Sequence, residues 1–130
     1  MGNASQAKRF YMIELVVVIV ILGILSAVAL PKFINLSTQA GLAAAQGVAG
    51  SLSSASSINY AAKKASNASG VTVNACDNAT ATALLVGGLP TGYTIALGTA
   101  CTAADGGTEV CQITNTQTVQ VASATLVCVP

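Results

Sequence analysis

The side chains of this sequence that could do chemistry are few, and they argue against catalysis. The chain has 130 residues with no histidine, and its only acidic side chains are those of Glu14, Asp77, Asp105 and Glu109. General acid–base catalysis near neutral pH and most catalytic metal sites rely on imidazole. Four scattered carboxylates and four cysteines do not resemble a catalytic centre. We therefore expect no enzyme, no cofactor and no metal site.

The cysteines lie together in the second half of the chain, at Cys76, Cys101, Cys111 and Cys128. Their spacings of 25, 10 and 17 residues lack the close pairs that a structural zinc site uses. Exported domains fold in an oxidising compartment, where disulfides persist. Four cysteines allow three disulfide pairings, and free buried thiols are the alternative.

One apolar segment accounts for the unusual composition, which is 53% hydrophobic and only 7% charged with a net charge of +1. Residues 15–30 read LVVVIVILGILSAVAL without a charge. About 20 apolar residues span a bilayer as a helix, so this segment and residues 10–13 predict a permanent or temporary membrane phase. The near-neutral charge provides no electrostatic footprint for nucleic acid, and we expect no nucleic-acid partner.

Residues 1–30 admit three interpretations, which differ in how they treat Glu14. A secretory signal or a plain anchor accounts for Lys8 and Arg9 but not for a carboxylate that costs about 2.5–3.5 kcal/mol at the centre of a membrane helix. Snorkelling at the membrane border is one explanation of Glu14. A cut between Arg9 and Phe10 offers another, since the free ammonium of Phe10 would lie four residues before Glu14. In a bundle of helices, each Glu14 could then pair with a neighbour's ammonium and fix the axial register.

Residues 10–36, FYMIELVVVIVILGILSAVALPKFINL, carry four marks at fixed offsets. They are Phe10, Glu14 four residues later, Gly23 within the apolar run and Pro31 just after it. The segment closely resembles the N-terminal helix of bacterial type IV pilins, and it is most similar to the mannose-sensitive haemagglutinin type.

The resemblance implies a leader peptide over residues 1–9. In the family, a prepilin peptidase cuts the leader and N-methylates the first mature residue, which corresponds to Phe10. This chain departs from the family pattern at three positions. Arg9 replaces the glycine that usually ends the leader, and Tyr11 and Met12 stand where Thr-Leu is usual.

The resemblance further implies a set of partners and a location. Copies of the subunit would polymerise with one another, aided by a pilus assembly ATPase and an inner-membrane platform. The precursor would reside in the inner membrane of a bacterium, and the product would be an extracellular pilus.

Apolar periodicity predicts one helix from about Phe10 to Ala65, with an apolar half over residues 10–30 and an amphipathic half over 31–66. Proline inside a helix removes a hydrogen bond, so Pro31 predicts a kink. By resemblance, the stretch from Gly23 to Pro31 could unwind when subunits enter a filament. Residues 51–57 predict a polar helix face. The predicted apolar stripe consists of Phe33, Leu36, Ala40, Ala44, Val48, Leu52, Ala55, Ile58 and Ala62.

Residues 67–130 predict a small globular head. Short β-branched runs at 71–73, 93–96, 110–113, 119–121 and 125–129 alternate with turn residues, and residues 79–86 predict a short helix. The result is an α+β arrangement with an antiparallel sheet packed on the long helix, and the resemblance implies that this is the type IV pilin fold. Within the resemblance we expect the sequential disulfides Cys76–Cys101 and Cys111–Cys128. The second would enclose a loop similar to the C-terminal disulfide-bounded region of type IV pilins.

Three functions remain open from the sequence. The first is a pilin subunit of an extracellular fibre, with the haemagglutinin-like resemblance favouring attachment over motility or DNA uptake. The second is a pseudopilin of a type II secretion system, although such subunits commonly lack disulfides. The third is a membrane-anchored binding module, which would be a monomer and would tolerate substitution of Glu14.

Overall fold

The computed structural model describes residues 4–96, 100–101 and 104–130, without the side chains of residues 4–8 and 10. The chain forms two compact units, Met1–Ser37 and Thr38–Pro130. Its elements are helix α1 (Ala4–Ala65), helix α2 (Asn78–Leu84), strand β1 (Tyr93–Ala96), strand β2 (Thr108–Asn115) and strand β3 (Gln120–Val127). The predicted α+β class, with one long helix and a small antiparallel sheet, is confirmed.

Helix α1 ends at Ala65, as predicted, but it begins at Ala4 rather than at Phe10. Alanine, glutamine, lysine and arginine are good helix formers, so residues 4–9 continue the helix. The helix also passes through Gly23 and Pro31. That the helix unwinds between Gly23 and Pro31 in a filament stays a prediction.

Three antiparallel strands form the sheet, in the order β1-β2-β3. Strand β1 has the predicted bounds. The two runs expected at 119–121 and 125–129 form the single strand β3, because residues 122–126 continue the alternation of buried and exposed side chains. The run expected at 71–73 contributes only an isolated bridge between Val73 and Val129.

Helix α2 lies close to the predicted position and protects one edge of the sheet. The Oδ1 atom of Asp77 accepts a hydrogen bond from the Thr80 backbone N–H at 2.6 Å. This N-cap bond holds the pKa of the Asp77 carboxyl below its usual value. Asn78 is the next residue, and its Oδ1 atom accepts a hydrogen bond from the Ile95 backbone N–H at 3.2 Å. The outer edge of β1 therefore has a side-chain partner.

The face of α1 that packs on the sheet differs in phase from the predicted stripe. Ala44 and Ile58 are exposed, and the buried positions from 45 onwards are Ala45, Ala49, Leu52, Ser56 and Asn59. Leu52 belongs to both the predicted stripe and the buried face, whereas the other buried positions are offset from the stripe by one residue, or ~100°. Its small side chains let the sheet approach the helix closely, and they pack with inward-facing residues of the strands such as Ile113, Ala124 and Leu126.

Two serines in the predicted polar face instead satisfy the outer edge of β3. Ser53 Oγ accepts from the Thr125 backbone N–H at 2.9 Å, and Ser56 Oγ accepts from the Val127 backbone N–H at 2.8 Å. Ser56 is completely buried. The hydroxyls thus act as an additional row of hydrogen-bond acceptors along the edge strand, and they fix the sheet to the helix.

The turn between β2 and β3 touches the helix at Gly41. A Cβ atom at this position would lie 2.7 Å from Thr118 Cβ, which is closer than real contacts allow. The Oγ1 atom of Thr118 is buried there and has no hydrogen-bond partner among the described residues. Gly41 is therefore required for the close approach of the turn to the helix.

The disulfides join Cys76 to Cys111 and Cys101 to Cys128, so the predicted sequential pairing is wrong. The strand register explains why. Cys111 lies opposite Ala124, and Cys128 follows four residues later, about 14 Å further along the chain at ~3.4 Å per residue. Disulfide-bonded Cα atoms lie within about 7 Å of each other. Cys111 and Cys128 therefore cannot pair, and the bridge near the C-terminus encloses residues 101–128 instead.

Replacing Ser56 with alanine should destabilise the protein, because it leaves the partly buried Val127 N–H without its acceptor. We expect a loss of about 1–3 kcal/mol in the free energy of unfolding, measured by urea titration of the detergent-solubilised chain. Ser57→Ala is the matched control, since Ser57 is exposed and bonds only within the helix. Equal stabilities of the two variants would contradict the role of Ser56.

Alanine should have opposite effects at two glycines of the same helix. Gly41→Ala should lower the free energy of unfolding by about 1–3 kcal/mol because the turn must move away. Gly47→Ala should raise it by up to about 1 kcal/mol, since the added Cβ meets open space. The same urea titration measures both, and a stabilising Gly41→Ala would exclude the close contact.

Candidate functional site

The first unit presents an apolar surface around the whole circumference of helix α1. Within Tyr11–Ala65, a window of 18 residues has a mean hydropathy of 3.0, and none of the residues in this window is buried inside the protein. By length and composition this helix can cross a membrane. The exposed large apolar side chains here are Tyr11, Met12, Ile13, Leu15, Val16, Val17, Val18, Ile19, Val20, Ile21, Leu22, Ile24, Leu25, Val28, Leu30, Phe33, Ile34 and Leu36.

Glu14 is exposed, and it is the one charged residue within residues 11–30. It follows Phe10 by one helical turn, so about 6 Å of axial rise separates the two residues. Arg9 is also exposed, and the Arg9–Phe10 peptide bond lies in the second turn of α1. The side chain of Phe10 lies outside the described residues.

Around Pro31, the helix surface forms a shallow apolar groove of about 370 Å³. Its lining residues are Leu25, Val28, Ala29, Lys32, Phe33 and Leu36. Lys32 supplies the only charge in this lining. A lysine at the end of an apolar helix can bury its stem and keep its ammonium at a polar boundary. The groove thus marks the end of the apolar segment.

The lysines at the C-terminal end of α1 are engaged within the second unit. Lys64 forms an ion pair with Asp105 and lies 5.5 Å from the centre of the Tyr60 ring. The hydrogen bond to Asp105 raises the pKa of the Lys64 ammonium. Lys63 Nζ donates to Thr72 Oγ1 at 3.2 Å. These contacts hold two loops against the end of the helix and give both lysines intramolecular partners.

Asn59 makes a second attachment between the helix and a loop. Its Nδ2 donates to the Val71 carbonyl at 2.8 Å, and its Oδ1 accepts from the Val71 N–H at 2.7 Å. The amide side chain therefore pairs with the backbone as a neighbouring strand would. An apolar stripe does not predict the packing positions Gly41, Ser53, Ser56 and Asn59, because glycine, serine and asparagine carry no apolar signal.

The four cysteines are all in disulfides, and together they brace the head. Cys76 and Cys111 are buried, and their bridge joins the segment before α2 to the centre of β2. The Cys101–Cys128 bridge joins the loop after β1 to the residue after β3. Cross-links across such long loops stabilise by restricting the unfolded chain, typically by 2–4 kcal/mol each. The head therefore needs less apolar core than its size suggests.

The long N-terminal helix, the three-stranded antiparallel sheet and the disulfide near the C-terminus are consistent with the type IV pilin fold. The type IV narrow pilus major component PilA5 of Thermus thermophilus is 47% identical to this chain over 53 residues. The match covers 41% of this chain and 46% of that protein, so it spans about half the length of the relative. No family model matches the chain, and no solved structure matches it either.

A type IV pilin is thus a homologue of this chain, and the predicted resemblance to type IV pilins is confirmed. The likeness to the mannose-sensitive haemagglutinin type stays a prediction.

Proposed function

We propose that this chain is a structural subunit that polymerises with copies of itself into an extracellular type IV pilus. The observation that carries the proposal is the apolar surface of α1 from residue 11 to residue 36, which is exposed on every side of the helix. Contiguous apolar surface of this size requires lipid or protein to cover it. The similarity to a pilus major component supports protein as the final partner.

Before assembly, the inner membrane is the partner that covers this surface. Residues 11–30 form about 30 Å of helix, which matches the hydrocarbon thickness of a bilayer. Helices of other subunits then replace the lipid in the core of the filament. The head, with its own buried core and two disulfides, remains outside both the bilayer and the filament core.

Processing between Arg9 and Phe10 prepares the subunit for this transfer. A prepilin peptidase removes residues 1–9 and methylates the new N-terminus of Phe10. The ammonium then lies one turn from Glu14 on its own helix and within reach of Glu14 on a neighbour. A carboxylate that is costly alone in an apolar core becomes tolerable when it is paired with a cation. The pair also determines the axial register between subunits.

An assembly ATPase and an inner-membrane platform drive polymerisation in this proposal. The fibre serves surface attachment, which rests on the likeness of residues 10–36 to the mannose-sensitive haemagglutinin type. We assign a structural role because groups that could do chemistry already stabilise the fold. Asp77 caps helix α2, Asp105 forms an ion pair with Lys64, and the cysteines are in disulfides.

Glu14→Gln and Glu14→Ala should each block fibre formation while leaving the precursor in the membrane. Both variants remove the charge that pairs with a neighbouring N-terminus. We therefore expect the fibre yield to fall by about tenfold or more, because a factor of ten corresponds to the loss of ~1.4 kcal/mol in one contact. Fibres sheared from the cell surface are quantified by immunoblot and by negative-stain electron microscopy. Subunit in the membrane fraction reports expression.

Glu109→Gln is the control for this experiment, because it removes a carboxylate from the head instead of from the helix. It should leave the fibre yield unchanged. Normal fibres in the Glu14→Ala variant would remove the role assigned to Glu14. A wild-type chain that forms no surface fibres and remains monomeric would favour the membrane-anchored binding module.

A further inference from the structure

Lys32 is the one charged residue between Glu14 and Lys63 in the sequence. Its side chain is exposed, and it forms no hydrogen bond or ion pair with the residues that the structure describes. Lys63 and Lys64, in contrast, have intramolecular partners. An ammonium on an apolar helix is costly unless water or an anion meets it. The chain does not supply that anion to Lys32.

The apolar groove around Pro31 lies directly beside this ammonium. Lys32 belongs to its lining, which runs from Leu25 to Leu36 and so covers about 16 Å of axial rise. Ala29 provides the floor of the groove, because it is half-buried whereas every other residue from 11 to 40 is exposed. The length of the groove is close to half of the ~30 Å hydrocarbon thickness of a bilayer. It therefore matches the depth of one leaflet.

The position of Lys32 along α1 places it at the outer border of the bilayer. Glu14 and Lys32 bracket the uncharged residues 15–31, and about 27 Å of axial rise separates the two. This distance is slightly less than the ~30 Å of hydrocarbon. A lysine side chain can extend from such a depth to the headgroup region, where the phosphates of the lipids lie.

We propose that Lys32 and the groove bind one anionic phospholipid in the outer leaflet of the inner membrane. Its phosphate contacts the Lys32 ammonium, and one acyl chain lies along Ala29. The inference rests on the membrane phase of the proposed function, and it names the class of lipid that the subunit binds before assembly.

The occupant is a phospholipid because the site combines a cation with an apolar groove, and a phospholipid combines an anion with an apolar chain. Basic side chains that flank membrane helices attract anionic headgroups. A zwitterionic lipid carries its own ammonium, which offsets the charge of its phosphate. The charge of Lys32 therefore favours a lipid with a net negative charge.

Removal of residues 1–9 gives this contact a role. The cut takes away Lys8 and Arg9, which leaves Lys32 as the one basic side chain beside the apolar segment. Its contact with lipid then holds the processed subunit at a fixed depth in the membrane. The contact breaks when the subunit leaves the bilayer for the filament.

Photo-cross-linking of the full chain in phosphatidylcholine vesicles tests the site. The vesicles contain a trace of phosphatidylglycerol or of phosphatidylcholine with the same diazirine in its acyl chain, and mass spectrometry locates the label. We expect phosphatidylglycerol to label residues 25–36 about fivefold more than phosphatidylcholine does, the factor that corresponds to ~1 kcal/mol for one lysine near a membrane surface.

Two variants separate the charge from the groove. Lys32→Gln should bring the labelling ratio of the two lipids to about one, because it removes the cation. Ala29→Phe keeps the cation but fills the floor of the groove, and it should lower the ratio as well. Ala27→Phe and Lys63→Gln are the matched controls and should leave the ratio unchanged. Ala27 is exposed and outside the lining, and Lys63 contacts Thr72.

Soluble glycerol phosphate distinguishes a lipid from a free anion. It should not lower the labelling by phosphatidylglycerol even in excess, because it lacks the acyl chain that the groove holds. A loss of labelling would identify a site for small anions and would overturn the assignment of a lipid.

The outcomes also separate this site from the pilus function. Equal labelling by the two lipids in the wild-type chain, or a preference that survives Lys32→Gln or Ala29→Phe, would refute the lipid site and leave the pilus proposal standing. A preference for phosphatidylglycerol in a chain that forms no surface fibres would support the lipid site and remove the pilus function. If alkaline carbonate extracts the chain from membranes, both fail.

Discussion

The exposed apolar surface of helix α1 is the constraint on which the rest of the structure depends. From Tyr11 to Leu36 the helix has large apolar side chains on all sides, so no single protein face can cover it. Lipid or a bundle of similar helices can. Glu14 interrupts this surface at a position where only a partner with a positive charge makes burial tolerable. Membrane insertion and polymerisation are two solutions to the same physical requirement.

The second half of the same helix solves a different problem, because it must hold a small sheet with very few large side chains. Ala45, Ala49 and Leu52 provide a narrow apolar face, and Ser53 and Ser56 accept hydrogen bonds from the edge of β3. Two disulfides compensate for the limited core. The result is a head whose sheet is fixed to this half of the helix.

The sequence predicts the long helix, its end at Ala65 and the strand Tyr93–Ala96, because apolar periodicity and turn residues act locally. It misplaces the packed face of α1, since buried glycine and serine positions carry no apolar signal. It also misassigns the disulfides. Their pairing depends on the register that places Cys111 opposite Ala124, and this register is a property of the folded sheet.

The mass of the N-terminal peptide from a sheared cell-surface fraction tests the central claim most directly. If the chain is a pilus subunit, the fraction will contain a peptide that begins at N-methylated Phe10. Such a peptide would establish both removal of residues 1–9 at Arg9 and release of the processed subunit into surface fibres. A peptide that retains residues 1–9, or a chain found only in the membrane, would contradict the account and identify a permanently anchored protein.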